Sequence, residues 1–202
     1  MARFIHLVRH GEPEEGYTKR FLGRLDPGLS ANGVKQAERI AGRLAAIHPG
    51  RCLTSPLRRA ADTAAIVADA CGLEAEQNDL LLEIDFGLLE GKTFDEAAAL
   101  YPGVTDSWNA LSGDFSFPEG ENFSAFNRRA ARLAELAAGL PEERVLLVAH
   151  GGILRGVLCN LLGIEANGPL RFRFAYASLT TTEVFPEGGA VLTEFNVGRD
   201  DM

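Results

Sequence analysis

The chain has 202 residues, of which 46% are hydrophobic and 24% charged. That is enough to bury a full core and ordinary for a globular protein, so disordered, collagenous and fibrous readings fail. Twenty Lys and Arg against 28 Asp and Glu leave a formal charge of −8, which excludes a function built on a broad basic surface laid on nucleic acid or anionic lipid, though not a small basic pocket. Cys52, Cys71 and Cys159 are odd in number and far apart, a pattern of reduced buried thiols rather than of disulfides or a zinc knuckle. The first ten residues carry charge within a short apolar stretch, and no run approaches the roughly 20 apolar residues of a membrane span. The expectation is a cytoplasmic protein with no membrane or nucleic-acid partner.

In chain order, Arg3–Val8 is a short apolar run suited to a buried strand. After a Gly- and Pro-containing loop, Val34, Ala37, Ile40, Ala41, Leu44 and Ile47 recur at helical spacing, with Ser30 as N-cap. Cys52-Leu53-Thr54 reads as a second strand, and Ser55-Pro56 as the opening of a helix through about Ala70. Glu121–Ala138 is predicted to form a long helix. Arg144–Ala149 (RVLLVA) is the clearest buried strand, bounded by Pro141 and by Gly151-Gly152, and a helix over Ile153–Leu162 follows. Arg171–Phe174, Leu179–Phe185 and Ala190–Phe195 read as closing antiparallel strands. The pattern predicts an α/β fold, a three-layer α/β/α sandwich on a mostly parallel, mixed sheet. No repeat or low-complexity tract divides the chain, so residues 1–202 are expected to be a single domain.

In such sheets ligands sit beyond the carboxyl ends of the parallel strands. The two best strands end in Arg9-His10-Gly11-Glu12 and in His150-Gly151-Gly152, which places two of only four histidines at equivalent positions. A neutral imidazole can attack phosphorus, while a second imidazole and an arginine fork neutralise the phosphoryl oxygens. Arg9 supplies one fork, and Arg58-Arg59, at the start of the second helix, adds cations where the helix N-terminus also favours an anion.

Five segments, in order, resemble the signature of the histidine phosphatase superfamily, also called phosphoglycerate-mutase-like. They are Leu7-Val8-Arg9-His10-Gly11-Glu12, Leu29–Ala37, Ser55–Ala64, Glu83–Gly91 and Val148–Gly152. The resemblance implies that fold, with a short cap insertion at about 92–120. It implies His10 as the nucleophile that becomes phosphohistidine, and Arg9, Arg59 (not Arg58), His150 and Gly151 as phosphate ligands. Glu83 would be the general acid and then base. It implies no metal and no other cofactor, in keeping with the lack of a P-loop or clustered metal ligands. Many members carry Asn where this chain has Gly16. The loop containing Arg20, Leu22 and Gly23 matches one whose backbone lines the site, making those three candidate substrate contacts.

Members resembling true mutases have a long basic insertion before the second histidine. Here 92–120 carries Lys92, no arginine and five carboxylates, which disfavours retention of a bisphosphate and favours hydrolysis. The expected activity is a phosphomonoesterase acting on a small phosphorylated metabolite. The stretch Pro118–Leu133 looks most like α-ribazole-phosphate phosphatases. Competing readings are a cofactor-dependent phosphoglycerate mutase and a catalytically silent phosphate-recognising module. Tyr101, Trp108, Phe115 and Phe117 are expected to wall a ring-bearing leaving group. His6 reads as a satisfied core histidine, Glu121 and Arg129 as a helix-terminal acid and a surface or sheet-edge pair, and Phe172, Phe174 and Tyr176 as strand packing. Exposed edge strands near the C-terminus allow a monomer or a homodimer.

Overall fold

The computed structural model describes residues 2–104, 115–164 and 172–198. Strands β1 (Arg3–Arg9), β2 (Arg51–Thr54), β3 (Ala75–Gln77) and β4 (Arg144–Ala149) pair in parallel, while β5 (Leu179–Val184) and β6 (Ala190–Val197) add antiparallel. The sheet order is β3-β2-β4-β1-β5-β6. The helices are α1 (Ala31–Ile47), α2 (Arg58–Cys71), α3 (Phe94–Leu100), α4 (Phe123–Gly139) and α5 (Gly151–Leu161).

Strand alternation makes the layers. Ile5 and Leu7 of β1 and Val145, Leu147 and Ala149 of β4 pack into the core beneath α4 and α5. Their neighbours Val8, Leu146 and Val148 pack into a second core beneath α1 and α2. A strand buried on both faces must be apolar at every position, which is why RVLLVA reads as an unbroken run. The α/β/α sandwich and the mixed sheet are as the pattern predicts.

Several local expectations need correction. The second helix begins at Arg58 with Leu57 in the N-cap position, so Ser55 and Pro56 lie upstream; the Ser55 hydroxyl instead meets His150 Nε2 at 2.8 Å. Asn122 caps α4, its side chain accepting from Ala125 N–H, which leaves Glu121 outside the helix. Residues 172–174 form no strand, and Arg171 lies outside the described residues. Phe174 is buried in the core and its carbonyl accepts from Arg9. Phe115 and Phe117 are not a wall but core, packed edge-on to each other, with Phe117 also edge-on to Phe86. Tyr101 packs against the same core, and Trp108 lies outside the described residues. Strand β3 and helix α3 went unpredicted, although α3 opens with a Thr93/Glu96 capping box that its sequence spells out. His6 is only half satisfied: Nδ1 lies 3.1 Å from Thr181 Oγ1, and Nε2 has no partner among the described residues.

Candidate active site

Because β1 and β4 are parallel neighbours in register, with Arg9 opposite Ala149, the residues that follow each strand emerge side by side. The His10 and His150 rings stand 5.2 Å apart, centroid to centroid, and both residues are buried. His10 Nδ1 lies 2.7 Å from the Gly11 carbonyl oxygen. A carbonyl can only accept, so Nδ1 carries the proton and Nε2 the lone pair. The Arg9-His10-Gly11 motif that places His10 therefore also sets its tautomer.

Around the two rings stand a buried cation, Arg59, and a half-buried one, Arg9. Arg59 is fully buried, and α2 aims its guanidinium at the loop before α1, donating to the carbonyls of Leu25 (2.7 Å), Gly23 (2.9 Å) and Leu22 (3.2 Å). Arg58, one position earlier, is exposed. Arg9 donates to the Phe174 carbonyl at 2.8 Å, and its guanidinium carbon lies 4.0 Å from the Tyr176 ring centroid. Arg9 Nε, Arg59 Nε and His150 Nδ1 are buried with no partner among the described residues. Burying polar groups unpaired is unfavourable by roughly 1–3 kcal/mol each, more for charged groups, so the two guanidinium Nε–H donors in particular mark a site that an anion would complete. Gly151, the first residue of α5, abuts Arg9: a Cβ on it would lie 3.6 Å from Arg9 Nε.

The Glu83 carboxylate is buried at the N-terminus of α5, where it accepts from Gly152 N–H (2.7 Å) and Ile153 N–H (3.1 Å), as well as from Ile84 N–H (3.0 Å). A helix N-terminus presents free N–H groups and a positive dipole end, so a carboxylate docks there naturally. Gly152 is required for the approach, since a Cβ would collide with Glu83 Oε1.

Burial pushes the His10 and His150 pKa values well below the ordinary 6.5. The neighbouring Arg9 and Arg59 charges add to the effect on His10, and Arg59, His10 and Arg9 to that on His150. Arg59 itself is drawn down to about 10 by burial and remains a cation at neutral pH. The result is two neutral imidazoles between two guanidinium ions.

The structure thus brings together Arg9, His10, Arg59, Glu83, His150 and Gly151. Arg20 is held elsewhere, donating to the Gly16 and Gly91 carbonyls and pairing with Glu96 at 2.8 Å. The Leu22 and Gly23 carbonyls face Arg59. Sequence reasoning missed three residues at the site. Ser55 orients His150. Tyr176 lies 5.6 Å from the His10 ring and over Arg9, in a segment that does not form the expected strand. Glu90 accepts four backbone N–H groups, from Gly23 (3.1 Å), Arg24 (2.8 Å), Leu25 (3.2 Å) and Phe86 (3.2 Å), and so fixes the loop whose carbonyls hold Arg59. A signal for Glu90 existed in the Glu83–Gly91 segment, but no local rule assigns it that task.

The profile of the histidine phosphatase superfamily (branch 1) matches residues 5–197. The chain belongs to the histidine phosphatase superfamily. Among superfamily members, it is 35% identical to phosphoserine phosphatase 1 of Hydrogenobacter thermophilus over 166 residues, 82% of this chain and 78% of that one. It is 33% identical to the probable phosphoglycerate mutase GpmB of Serratia proteamaculans over 184 residues, 89% of this chain and 84% of that one. Among solved structures, a mycobacterial glucosyl-3-phosphoglycerate phosphatase superposes with a TM-score of 0.85 at 29% identity, covering 97% of this chain and 99% of that chain. The α-ribazole phosphatase of Shigella flexneri superposes with a TM-score of 0.86 at 25% identity, covering 98% of each.

Proposed function

We propose that this superfamily member is a phosphomonoesterase that hydrolyses a small phosphorylated metabolite through a phosphohistidine at His10. The observation that carries the reading is the lone pair on His10 Nε2 together with three buried nitrogens, of Arg9, Arg59 and His150, that have no partner among the described residues. A phosphoryl group placed there is neutralised by two guanidinium ions and one imidazole, the charge stabilisation that phosphoryl transfer chiefly needs.

In the first step the Nε2 lone pair attacks phosphorus and the bond to the ester oxygen breaks. That oxygen takes a proton from the Glu83 carboxyl and leaves as an alcohol. In the second step the Glu83 carboxylate takes a proton from water, the water oxygen attacks phosphorus, the P–N bond breaks and its electron pair returns to His10. Inorganic phosphate departs and Glu83 is again protonated. The phosphatase names of three of the four relatives above support hydrolysis, as does the acidic 92–120 insertion. The ring-bearing substrate of the α-ribazole type is the narrower proposal, supported by the likeness of residues 118–133 and by the Shigella neighbour.

The test is phosphate release from an aryl phosphate and a panel of phosphometabolites, in chelator, for the native chain and for His10→Ala. Release by the native chain that falls by about 10³-fold or more in the variant is the expected result, a loss in the range found for removing a nucleophile. Conversion of 3-phosphoglycerate to 2-phosphoglycerate with negligible hydrolysis would instead establish a mutase, and the absence of both activities would move a silent phosphate-binding module to the front.

A further inference from the structure

We infer that Arg129, together with Glu121, positions the Glu83 carboxyl; the inference rests on the reading of Glu83 as proton donor. The segment that carries Glu83 lies between the short 3-10 turns Asp79–Leu81 and Gly87–Leu89 and belongs to no strand. A sheet ladder therefore does not fix its backbone.

One guanidinium does. Arg129, on α4, donates through Nη1 to the carbonyls of Leu80 (3.1 Å) and Leu82, and through Nη2 to the carbonyl of Glu83 itself (3.2 Å). The same group grips Glu121 with two bonds, Nε to Oε1 at 3.2 Å and Nη2 to Oε2 at 2.8 Å. Glu121 Oε2 in turn accepts from Asp85 N–H at 3.3 Å. The pair thus seizes the chain on both sides of Glu83, at carbonyls before it and at an amide after it. Phe126, one turn earlier on α4, places its ring 5.0 Å from the guanidinium carbon.

The side chains are only 15% and 17% exposed and neither residue lies on a strand, so this is not the surface or sheet-edge pair that the sequence suggests. In such a setting a half-broken network is costly, which makes the arrangement rigid. Only a planar fork with five donors serves three carbonyls and a carboxylate at once, and a lysine cannot. Glu83 contacts α5 through its side chain and Arg129 through its backbone, so the carboxyl is held at both ends.

A positioned acid matters in proportion to how poor the leaving group is, whereas loss of folded protein lowers every rate alike. The experiment compares kcat/KM for glycerol 2-phosphate, which needs a proton on its leaving oxygen, with that for 2,4-dinitrophenyl phosphate, which does not. This ratio reads only the steps through phosphohistidine formation, so slow dephosphorylation does not mask it. Glu83→Gln is expected to lose about 10²-fold or more on the alkyl substrate and far less on the aryl one. Arg129→Lys and the milder Glu121→Gln are expected to show the same selectivity, losing about tenfold or more on the alkyl substrate alone, as a misplaced catalytic group does. Equal losses on both substrates in the two variants, or no loss, would overturn the inference while leaving Glu83 as the donor. Equal losses in Glu83→Gln itself would overturn the donor reading, and the positioning role with it.

Discussion

His10 and His150 arise from almost identical local sequence, a buried strand followed by His-Gly, yet their hydrogen bonds give them different chemistry. His10 Nδ1 is tied to a carbonyl, which leaves the lone pair on Nε2. His150 Nε2 is tied to the Ser55 hydroxyl, which leaves Nδ1 as the buried atom without a partner among the described residues. Burial, and then the charges of Arg59, His10 and Arg9, lower the His150 pKa, and a bound dianion reverses the sign of the field the two guanidinium ions create. Anion binding should therefore draw a proton onto the site. Sulfate is a suitable probe, since it is a dianion with no proton to exchange near neutrality. Its binding is expected to take up as much as one proton at about pH 7, read by calorimetry in buffers of differing ionisation enthalpy. Heats independent of buffer would show that His150 stays neutral in the complex.

At the scale of elements, the placement of Arg59 depends on a loop held from outside. The carbonyls of Leu22, Gly23 and Leu25 grip Arg59, and the amides of Gly23, Arg24 and Leu25 are gripped by Glu90. Gly23 is needed where these segments meet, because a Cβ there would collide with the Ile84 carbonyl and Glu90 Oε1. Glu90→Gln replaces one acceptor oxygen with an N–H₂ group facing other N–H donors. Sulfate affinity is expected to fall about tenfold, the scale of one lost hydrogen bond to a charged group, with folding retained. Unchanged sulfate affinity in a folded Glu90→Gln would show that Arg59 holds its place without the loop.

For the molecule as a whole, three buried histidines make stability pH-dependent. His6 is lowered to about 4 by burial, and His10 and His150 lie well below 6.5. The unfolded chain takes up these protons near pH 6.5, while the folded chain does so only at lower pH. In between the unfolded state binds more protons, so stability falls as pH falls. At about 1.4 kcal/mol per unit, His6 alone contributes on the order of 3 kcal/mol of destabilisation once the pH drops below its folded value. Urea midpoints measured from roughly pH 7 to roughly pH 5 should decrease steadily. A midpoint that is flat or rises across that window would mean the rings are already charged in the fold. Among the described residues no helix is long and apolar enough to cross a membrane.

What local rules encode is legible in the residues alone. An unbroken apolar run means a strand buried on both faces, helical spacing behind Ser30 means α1, and a histidine followed by glycine at two strand ends marks where the chain turns toward a ligand. The order of the five motifs adds the superfamily. Which groups support the site is set by long-range packing. Arg129 reaches Glu83 across 46 positions, Glu90 reaches Gly23 across 67 and His150 reaches Ser55 across 95. No short-range pattern records such meetings, because they exist only once sheet order and loop closure have placed the segments side by side.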